Sequence, residues 1–438
     1  MKEVNIGLLG CGTVGTGVAR LLLNNTDLIS ARVGARLNLK KVADVDITTD
    51  RGVAFPDGVW TTDADAVVRD PQIDIVVEMI GGKGIARDLM LKAIDHGKHI
   101  VTANKALLAS HGNEIFQAAR EKKVDIGFEA STGGCMPVIK TLREALVGNR
   151  IQTMTGILNG TCNYILTKIT AEGIPFEDAL AGAQEKGYAE ADPTLDVDGH
   201  DTAHKLAILS ALAYGMPLNL DDIYVEGISG ITPGDIRFAE EFGYRIKLLA
   251  ISKNNGDSVE ARVHPTMIPI TNILSSVNGA VNALMINGDA VDDIMLYGYG
   301  AGMMPTGSAV VSDCVDIARN LISGRAGRVP YLSYQAENIR NIAITSIDAV
   351  MTRYYFRFSA LDHPGVLSKI SGILGEYDIS IKTVQQKGRK TNGSVPLVMQ
   401  THLANEASVQ KALKRIEELK VVSTKPVFIR IEDDTILE

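Results

Sequence analysis

Apolar and polar positions alternate at the start of the chain, where Val4, Ile6 and Leu8 are spaced by two and lead into Gly10-Cys11-Gly12-Thr13-Val14-Gly15. That period predicts a strand. Beyond the glycines, Val18, Leu21 and Leu22 recur at helical spacing as far as Asn24-Asn25, so the opening reads strand, glycine turn, helix. Further strands are predicted at Leu39–Val45, Ile73–Met79 and His99–Thr102, with a helix over Ala86–His96 stopped by Gly97. Strands alternating with helices imply a parallel, doubly wound Rossmann-type sheet over about the first 130 residues.

The next stretch is less periodic. Gly156-Ile157-Leu158-Asn159-Gly160-Thr161 is followed by an acidic turn from Gly187 to Asp201 and a predicted helix over Thr202–Tyr214. Tyr297–Gly307 opens a helix ending near Asn320, and Ser323–Pro330 closes the unit. The pattern suggests an α+β domain over residues 131–330, with about 300–325 returning to complete the first domain. From Tyr354 the order is strand, helix (Gly365–Glu376), strand (Ile379–Gln386), strand (Ser394–Leu403), helix (Ser408–Leu419) and strand (Pro426–Ile431). This βαββαβ series over 350–433 is the ferredoxin-like motif.

Composition narrows the class. A chain of 438 residues needs more than one core. Net charge of −8 argues against nucleic acid, and no apolar run is long enough to cross a bilayer. Met1–Asn5 enters a strand without the pattern of a signal peptide, and the four cysteines form no CxxC pair. A cytoplasmic protein with reduced thiols and a small-molecule partner is expected.

The glycine turn satisfies the context that GxGxxG requires. Gly10 would turn tightly, Gly12 would let a pyrophosphate approach, and Gly15 would pack helix on strand, while Thr13 and Val14 offer N–H groups at the helix start. Asp44 is the candidate acceptor for the adenosine ribose, with Asp46 next; both lie further from the turn than the usual ~20 residues, so an extra segment is expected after the first helix, and acids there lean towards NAD over NADP, although Arg51 could still take a 2′-phosphate. Lys105 follows the fourth strand at its carboxyl end, where such sheets bind ligands. It is either a solvated strand-end lysine or a cation facing a forming alkoxide, its pKa lowered by a second lysine. That second lysine is Lys205, spaced i, i+4 from Asp201, which alone could be an ordinary intrahelical pair. Glu190, Asp192, Asp196, Asp198 and Asp201 form either a solvated charge run or a seat for an ammonium group.

The stretches GLLGCGTVGTGV, VVEMIGG, VTANKALLA, GILNGTCNYIL, AQEKGYAEADPTLDVDGHDTAHKLAILSALAYG and GYGAGMMPTGSAVVSD resemble the homoserine dehydrogenase family in the family's order over about residues 4–330. The resemblance implies reversible reduction of L-aspartate 4-semialdehyde to L-homoserine by NADH or NADPH, in threonine, methionine and isoleucine biosynthesis. It implies Lys205 as proton donor and acceptor, Lys105 near the reacting oxygen and nicotinamide, and Asp201 as orienting group. Glu190 is similar to the family's ligand for the substrate amino group, supported by Asp196; Gly81, Gly187 and Gly302 look like cofactor contacts. Glu129-Ala130-Ser131-Thr132-Gly133-Gly134-Cys135-Met136-Pro137 matches the family's monovalent-cation loop, in which carbonyls of Glu129, Thr132, Gly134 and Met136 would hold a structural Na⁺. Residues 131–330 would then bind substrate and form the dimer.

Two positions depart from the family. Val45 stands where many members carry arginine, in line with NAD. Cys135 replaces a glycine or small residue and is expected to be packing, since no histidine pattern nearby would activate it.

Asp362-His363-Pro364-Gly365-Val366-Leu367 resembles the ligand turn of ACT domains, and Gln400-Thr401-His402 with Asn405-Glu406 resembles the tail of regulated family members. Feedback control with L-threonine as effector is implied; the plainer reading is a ferredoxin-like domain used for assembly into a homodimer or homotetramer. Two rival functions remain: another Rossmann dehydrogenase, such as one oxidising aspartate, and a catalytically silent amino-acid sensor. The presence of both lysines and every acid of the turn counts against the latter.

Overall fold

The computed structural model describes residues 1–386 and 393–433. Six strands, β1 (Lys2–Leu9), β2 (Ala35–Ala43), β3 (Trp60–Thr61), β4 (Ile75–Glu78), β5 (His99–Thr102) and β6 (Ile126–Gly127), form a parallel sheet in the order β3-β2-β1-β4-β5-β6. The chain starts at the centre, winds to one edge and returns to the other. Connections after β1 and β4 therefore diverge and open a crevice at the carboxyl ends.

Between β1 and β2 run two helices, α1 (Thr13–Asn24) and α2 (Thr26–Val33), the second ended by Gly34 at φ 81°. That second helix is the extra segment that separates the glycine turn from Asp44. β2 begins earlier than its pattern suggested, because Ala35, Leu37 and Leu39 are the inward residues; Val45 lies beyond the strand and is 97% exposed. The helix Met303–Ser323 packs back onto α1, and the contact needs glycine. A Cβ on Gly17 would lie 2.2 Å from the Met303 carbonyl oxygen, and one on Gly307 would lie 3.0 Å from the Gly17 backbone. This crossing sets Gly302, at the helix start, beside the glycine turn.

The middle of the chain builds a second, mostly antiparallel sheet that its sequence barely announces. Its strands are β7 (Ile151–Ile157), β8 (Tyr224–Val225), β9 (Tyr244–Asn254), β10 (Ser258–Pro269), β11 (Asn282–Gly288) and β12 (Asp292–Gly298). Ile246, Leu248, Leu249, Ala250 and Ile251 are buried without alternation, since helices cover one face and Leu274 and Val277 the other. Burial on both faces removes the period-two signal. The helix His200–Tyr214 lies against β9 and β10 and is buried at every position from Asp201 to Tyr214.

β13 (Ala343–Ile344) adds to β10 of the second sheet; the C-terminal unit then contains β14 (Met351–Leu361), β15 (Ile381–Gln386), β16 (Ser394–Thr401), β17 (Ala404–Asn405) and β18 (Val427–Ile431), with helices Val366–Glu376 and Glu406–Glu417. Its long strands run β18-β14-β16-β15, the ferredoxin-like order. β18 also pairs in parallel with β10, Thr266 opposite Arg430 and Met267 opposite Ile431, which joins both units into one twelve-stranded sheet. No helix among the described residues is long and apolar enough to cross a membrane.

Candidate active site

The glycine turn is shaped as its residue types require. Gly10 has φ 87° and a Cβ there would sit 2.7 Å from the Met79 backbone; a Cβ on Gly15 would lie 2.2 Å from the Gly10 carbonyl oxygen. Gly12 differs: nothing lies within 4 Å of its Cβ position. No side chain caps α1, so the N–H groups around Thr13 and Val14 face that open space. An anionic pyrophosphate fits this cradle.

At the end of β2, the Asp44 carboxylate accepts the N–H groups of Cys11 and of Asp46 and faces the Arg51 guanidinium at 3.7 Å. Arg51 donates through all three nitrogens, to the carbonyls of Cys11, Thr49 and Asp46, and lies 4.8 Å over the Trp60 ring. Gly81 follows β4 at φ 78°, its N–H held by Glu78 at 2.9 Å; Thr102 binds the other Glu78 oxygen at 2.7 Å. Glu78 had no role in the sequence reading, yet it organises this loop.

A cleft of about 530 Å³ lies between the two domains. Its lining brings together Val14 and Gly302, beside the glycine turn, with Lys105, Asp196, Asp201 and Lys205, and with Gly187. Lys105 is the first residue of the helix Lys105–Lys122 and enters from the parallel sheet; Lys205 enters from the helix His200–Tyr214. They meet on one carboxylate. Asp201 Oδ1 lies 3.0 Å from Lys105 Nζ and Asp201 Oδ2 lies 2.7 Å from Lys205 Nζ. Lys205 also donates to the Leu158 carbonyl at 2.6 Å.

Asn159 is the residue that sequence reasoning missed. It caps the helix Gly160–Glu172 through its Oδ1, while its Nδ2 bridges Asp196 at 2.7 Å and Asp201 at 2.9 Å. The available signal was an asparagine just ahead of a helix, read only as part of a matching stretch. Asn282 is a second omission: it donates to the Leu158 carbonyl at 3.0 Å and leaves its buried Oδ1 without a partner beside the cleft.

The electrostatics follow from this packing. Burial opposes the Asp201 charge, but Lys205 and Lys105 outweigh it and hold the carboxyl well below the usual range. Burial lowers the Lys205 pKa from the ordinary lysine value, helped by the charge of Lys105. The Asp201 charge raises the pKa of Lys105, which is a third exposed. The lowering expected for Lys105 therefore falls on Lys205, because Lys205 is the buried partner. Burial raises Asp196, with Asp201 adding to the effect.

The acidic turn divides. Asp196 and Asp201 face the cleft, whereas Asp192 binds Thr194 in the turn itself. Glu190 is exposed and does not line the cleft, although its charge acts on Lys105 from the rim. In the loop before the second sheet, Glu129 turns its buried carboxylate to the N–H groups of Ile139 and Lys140, at 2.7 and 3.0 Å. Cys135 is exposed, not packed: its N–H binds the Tyr299 carbonyl, and Gly134 occupies the space against the Gly300 backbone. A larger cavity of about 680 Å³, behind the helix Lys105–Lys122, holds none of these residues.

The matches to known proteins fall on the same elements. Residues 10–129 match the family model "Homoserine dehydrogenase, NAD binding domain", 137–315 match "Homoserine dehydrogenase", and 354–421 match the ACT domain. A homoserine dehydrogenase of Pseudomonas aeruginosa is 46% identical over 435 residues, covering 99% of each chain; one of Neisseria gonorrhoeae is 44% identical over 432 residues with the same coverage. The chain belongs to the homoserine dehydrogenase family. It is an NAD(P)-dependent oxidoreductase with a Rossmann-type domain, a mixed-sheet domain and a C-terminal ACT domain. The crystal structure of a homoserine dehydrogenase from Thiobacillus denitrificans superimposes with a TM-score of 0.93 at 46% identity, covering 99% of both chains. A hyperthermophilic archaeal homoserine dehydrogenase in complex with NADPH aligns over 77% of this chain and 100% of its own, with a TM-score of 0.61 at 26% identity.

Proposed function

We propose that the chain interconverts L-homoserine and L-aspartate 4-semialdehyde, in threonine, methionine and isoleucine biosynthesis, with Lys205 as the group that exchanges the proton. The observation that carries this reading is the single buried carboxylate, Asp201, gripped by Lys105 and Lys205 in the cleft. The glycine turn, with Gly187 and Gly302 nearby, would hold the dinucleotide, which when bound would supply the hydride acceptor for oxidation. Lys205, neutral, takes the hydroxyl proton as the carbonyl forms; in reduction its ammonium returns that proton. Lys105 stays charged beside Asp201 and neutralises charge developing on the oxygen. Asp196 and, from the rim, Glu190 are acceptors suited to the substrate ammonium.

Finer features belong to the same reading. NAD is favoured because the Asp44 carboxylate would repel a 2′-phosphate and Arg51 already gives three of its five N–H groups to main-chain carbonyls. The loop Glu129–Met136 is proposed to carry Na⁺. Thr132 Oγ1 is buried without a partner there, which suits a hard cation, although the Met136 carbonyl already accepts the Val138 N–H at 2.8 Å. The ion would be structural. L-Threonine is proposed at the C-terminal turn, where Asp362–Leu367 line a cavity of about 310 Å³ and Gly365, at φ 84°, leaves a helix start uncapped. The second sheet ends in β12, half-exposed, with Tyr297 on it and Tyr299 just after it both exposed, and this edge supports a homodimer or homotetramer. On this reading residues 1–130, completed by 300–325, bind the cofactor, 131–330 bind substrate and 350–433 regulate.

The test is dinucleotide reduction with L-homoserine and L-aspartate, using NAD and NADP in parallel, with and without L-threonine. Reduction with homoserine alone is expected, faster with NAD and slowed by threonine; reduction with aspartate alone would overturn the reading. The pH profile has a definite sign. Oxidation needs neutral Lys205, so its kcat/KM rises with pH through a pKa displaced below the ordinary lysine value of 10.5. Reduction needs the ammonium and falls over the same range.

A further inference from the structure

Asp196 and Asp201 sit on a turn whose outer side is packed by main chain. A Cβ on Gly227 would fall 2.4 Å from the Val197 carbonyl oxygen and 2.6 Å from the Asp198 Cα. The Ile228 N–H donates to the Val197 carbonyl at 2.9 Å. Gly199, at φ 87°, has only 3.1 Å between its Cβ position and the Val225 side chain, and 3.5 Å to the Glu226 carbonyl. The segment Glu226–Ile228 is therefore the surface on which the acidic turn rests.

That segment is held from the C-terminal unit. Arg430, on β18 and 1% exposed, donates to Glu226 at 2.8 Å and to Glu406 at 2.8 and 2.7 Å, and its guanidinium lies 4.9 Å from the Tyr224 ring and 5.2 Å from the Phe428 ring. Tyr224 donates its hydroxyl to the same Glu226 oxygen at 2.9 Å. A guanidinium fixed by the C-terminal unit's own carboxylate thus reaches across the junction. The plainer reading is a partly buried ion pair that fills a seam, with Glu226 a third exposed, and such pairs add little net stability. The neighbours distinguish the two. Lys253 with Glu432, at 2.6 Å, crosses the same seam but lies on β9, away from the turn. Arg262–Glu432 and Arg357–Asp235 cross it too, but among the described residues only the Glu226 pair is continuous in the chain with Gly227 and Ile228, which touch the turn.

We propose that Glu226 is a positioning residue for the substrate site, and that Arg430 makes the C-terminal unit part of its support. The proposal rests on reading the turn as the homoserine site.

Hydrogen exchange and steady-state kinetics on the full chain test the link, with Glu226→Ala as the probe and Lys253→Met as the control. Glu226→Ala is expected to speed exchange over residues 193–201 and leave the parallel sheet unchanged. Its KM for homoserine should rise about fivefold with the dinucleotide KM unaltered. Adding Arg430→Met should bring no further rise, because both variants cut one link. Glu226→Gln, which still accepts the Tyr224 hydroxyl, should fall between. Wild-type exchange over 193–201 in Glu226→Ala overturns the proposal, as does an equal change in Lys253→Met. Failure of the site reading is seen separately, as normal turnover of homoserine by Lys205→Ala.

Discussion

Lys205→Ala is expected to lower kcat for homoserine oxidation by roughly a thousandfold or more, with dinucleotide KM changed less than about twofold. The size follows from what the side chain does alone. Lys205 is the buried amine whose pKa is displaced downwards, so it can be neutral and accept a proton where Lys105, held charged by Asp201, cannot. The variant should still fold. Asp201 keeps Lys105 at 3.0 Å and Asn159 at 2.9 Å, so the loss stays below the ~3–5 kcal/mol that an orphaned buried charge costs. Its effect on cofactor affinity is small because the amine reaches Leu158 and Asp201, not the glycine turn. Turnover within tenfold of wild type would remove Lys205 from the proton-transfer role.

A second large effect separates two glycines of one motif. Gly12→Val should leave the thermal midpoint within about 2 °C of wild type and raise the dinucleotide KM about a hundredfold or more. The reason is geometric: its Cβ meets nothing in the protein and fills the space above an uncapped helix start. Gly15→Ala should do the reverse damage. With its Cβ 2.2 Å from the Gly10 carbonyl oxygen, the turn itself must move, so the midpoint should drop by several degrees, as a cost of about 1–3 kcal/mol implies. Circular dichroism melts beside dinucleotide titrations read both. Equal loss of stability in the two variants would contradict the assignment of Gly12 to the pyrophosphate.

What the sequence showed and what it hid follow from the range of the interactions. The glycine turn and the C-terminal βαββαβ unit were legible because strand, turn and helix signals are local. Even the unusual distance from the turn to Asp44 pointed to an inserted segment, which is α2. The second sheet was not legible, since β9 and β10 are buried on both faces and lose their alternation. The joining of β10 to β18 leaves no mark in either segment; it depends on pairing of residues more than 160 positions apart, Thr266 with Arg430. At the site, spacing placed Asp201 and Lys205 on one helical face, but nothing short of the fold brings Lys105 to the same carboxylate. Asn159 was passed over because its cap is a local, ordinary role, whereas its amide reaches Asp196 and Asp201 only in three dimensions. Cys135 was expected to pack because no histidine nearby would activate it and the family has a glycine or small residue there; it is exposed, and the glycine beside it makes the close contact with Gly300.

The most direct test is a crystal structure of the full chain with L-homoserine and oxidised dinucleotide. The account predicts the homoserine hydroxyl within hydrogen-bond distance of Lys205 Nζ and Lys105 Nζ, with its ammonium towards Asp196 and Glu190. A hydroxyl bound away from both amines, or a nicotinamide ring on the far side of Asp201, would contradict it.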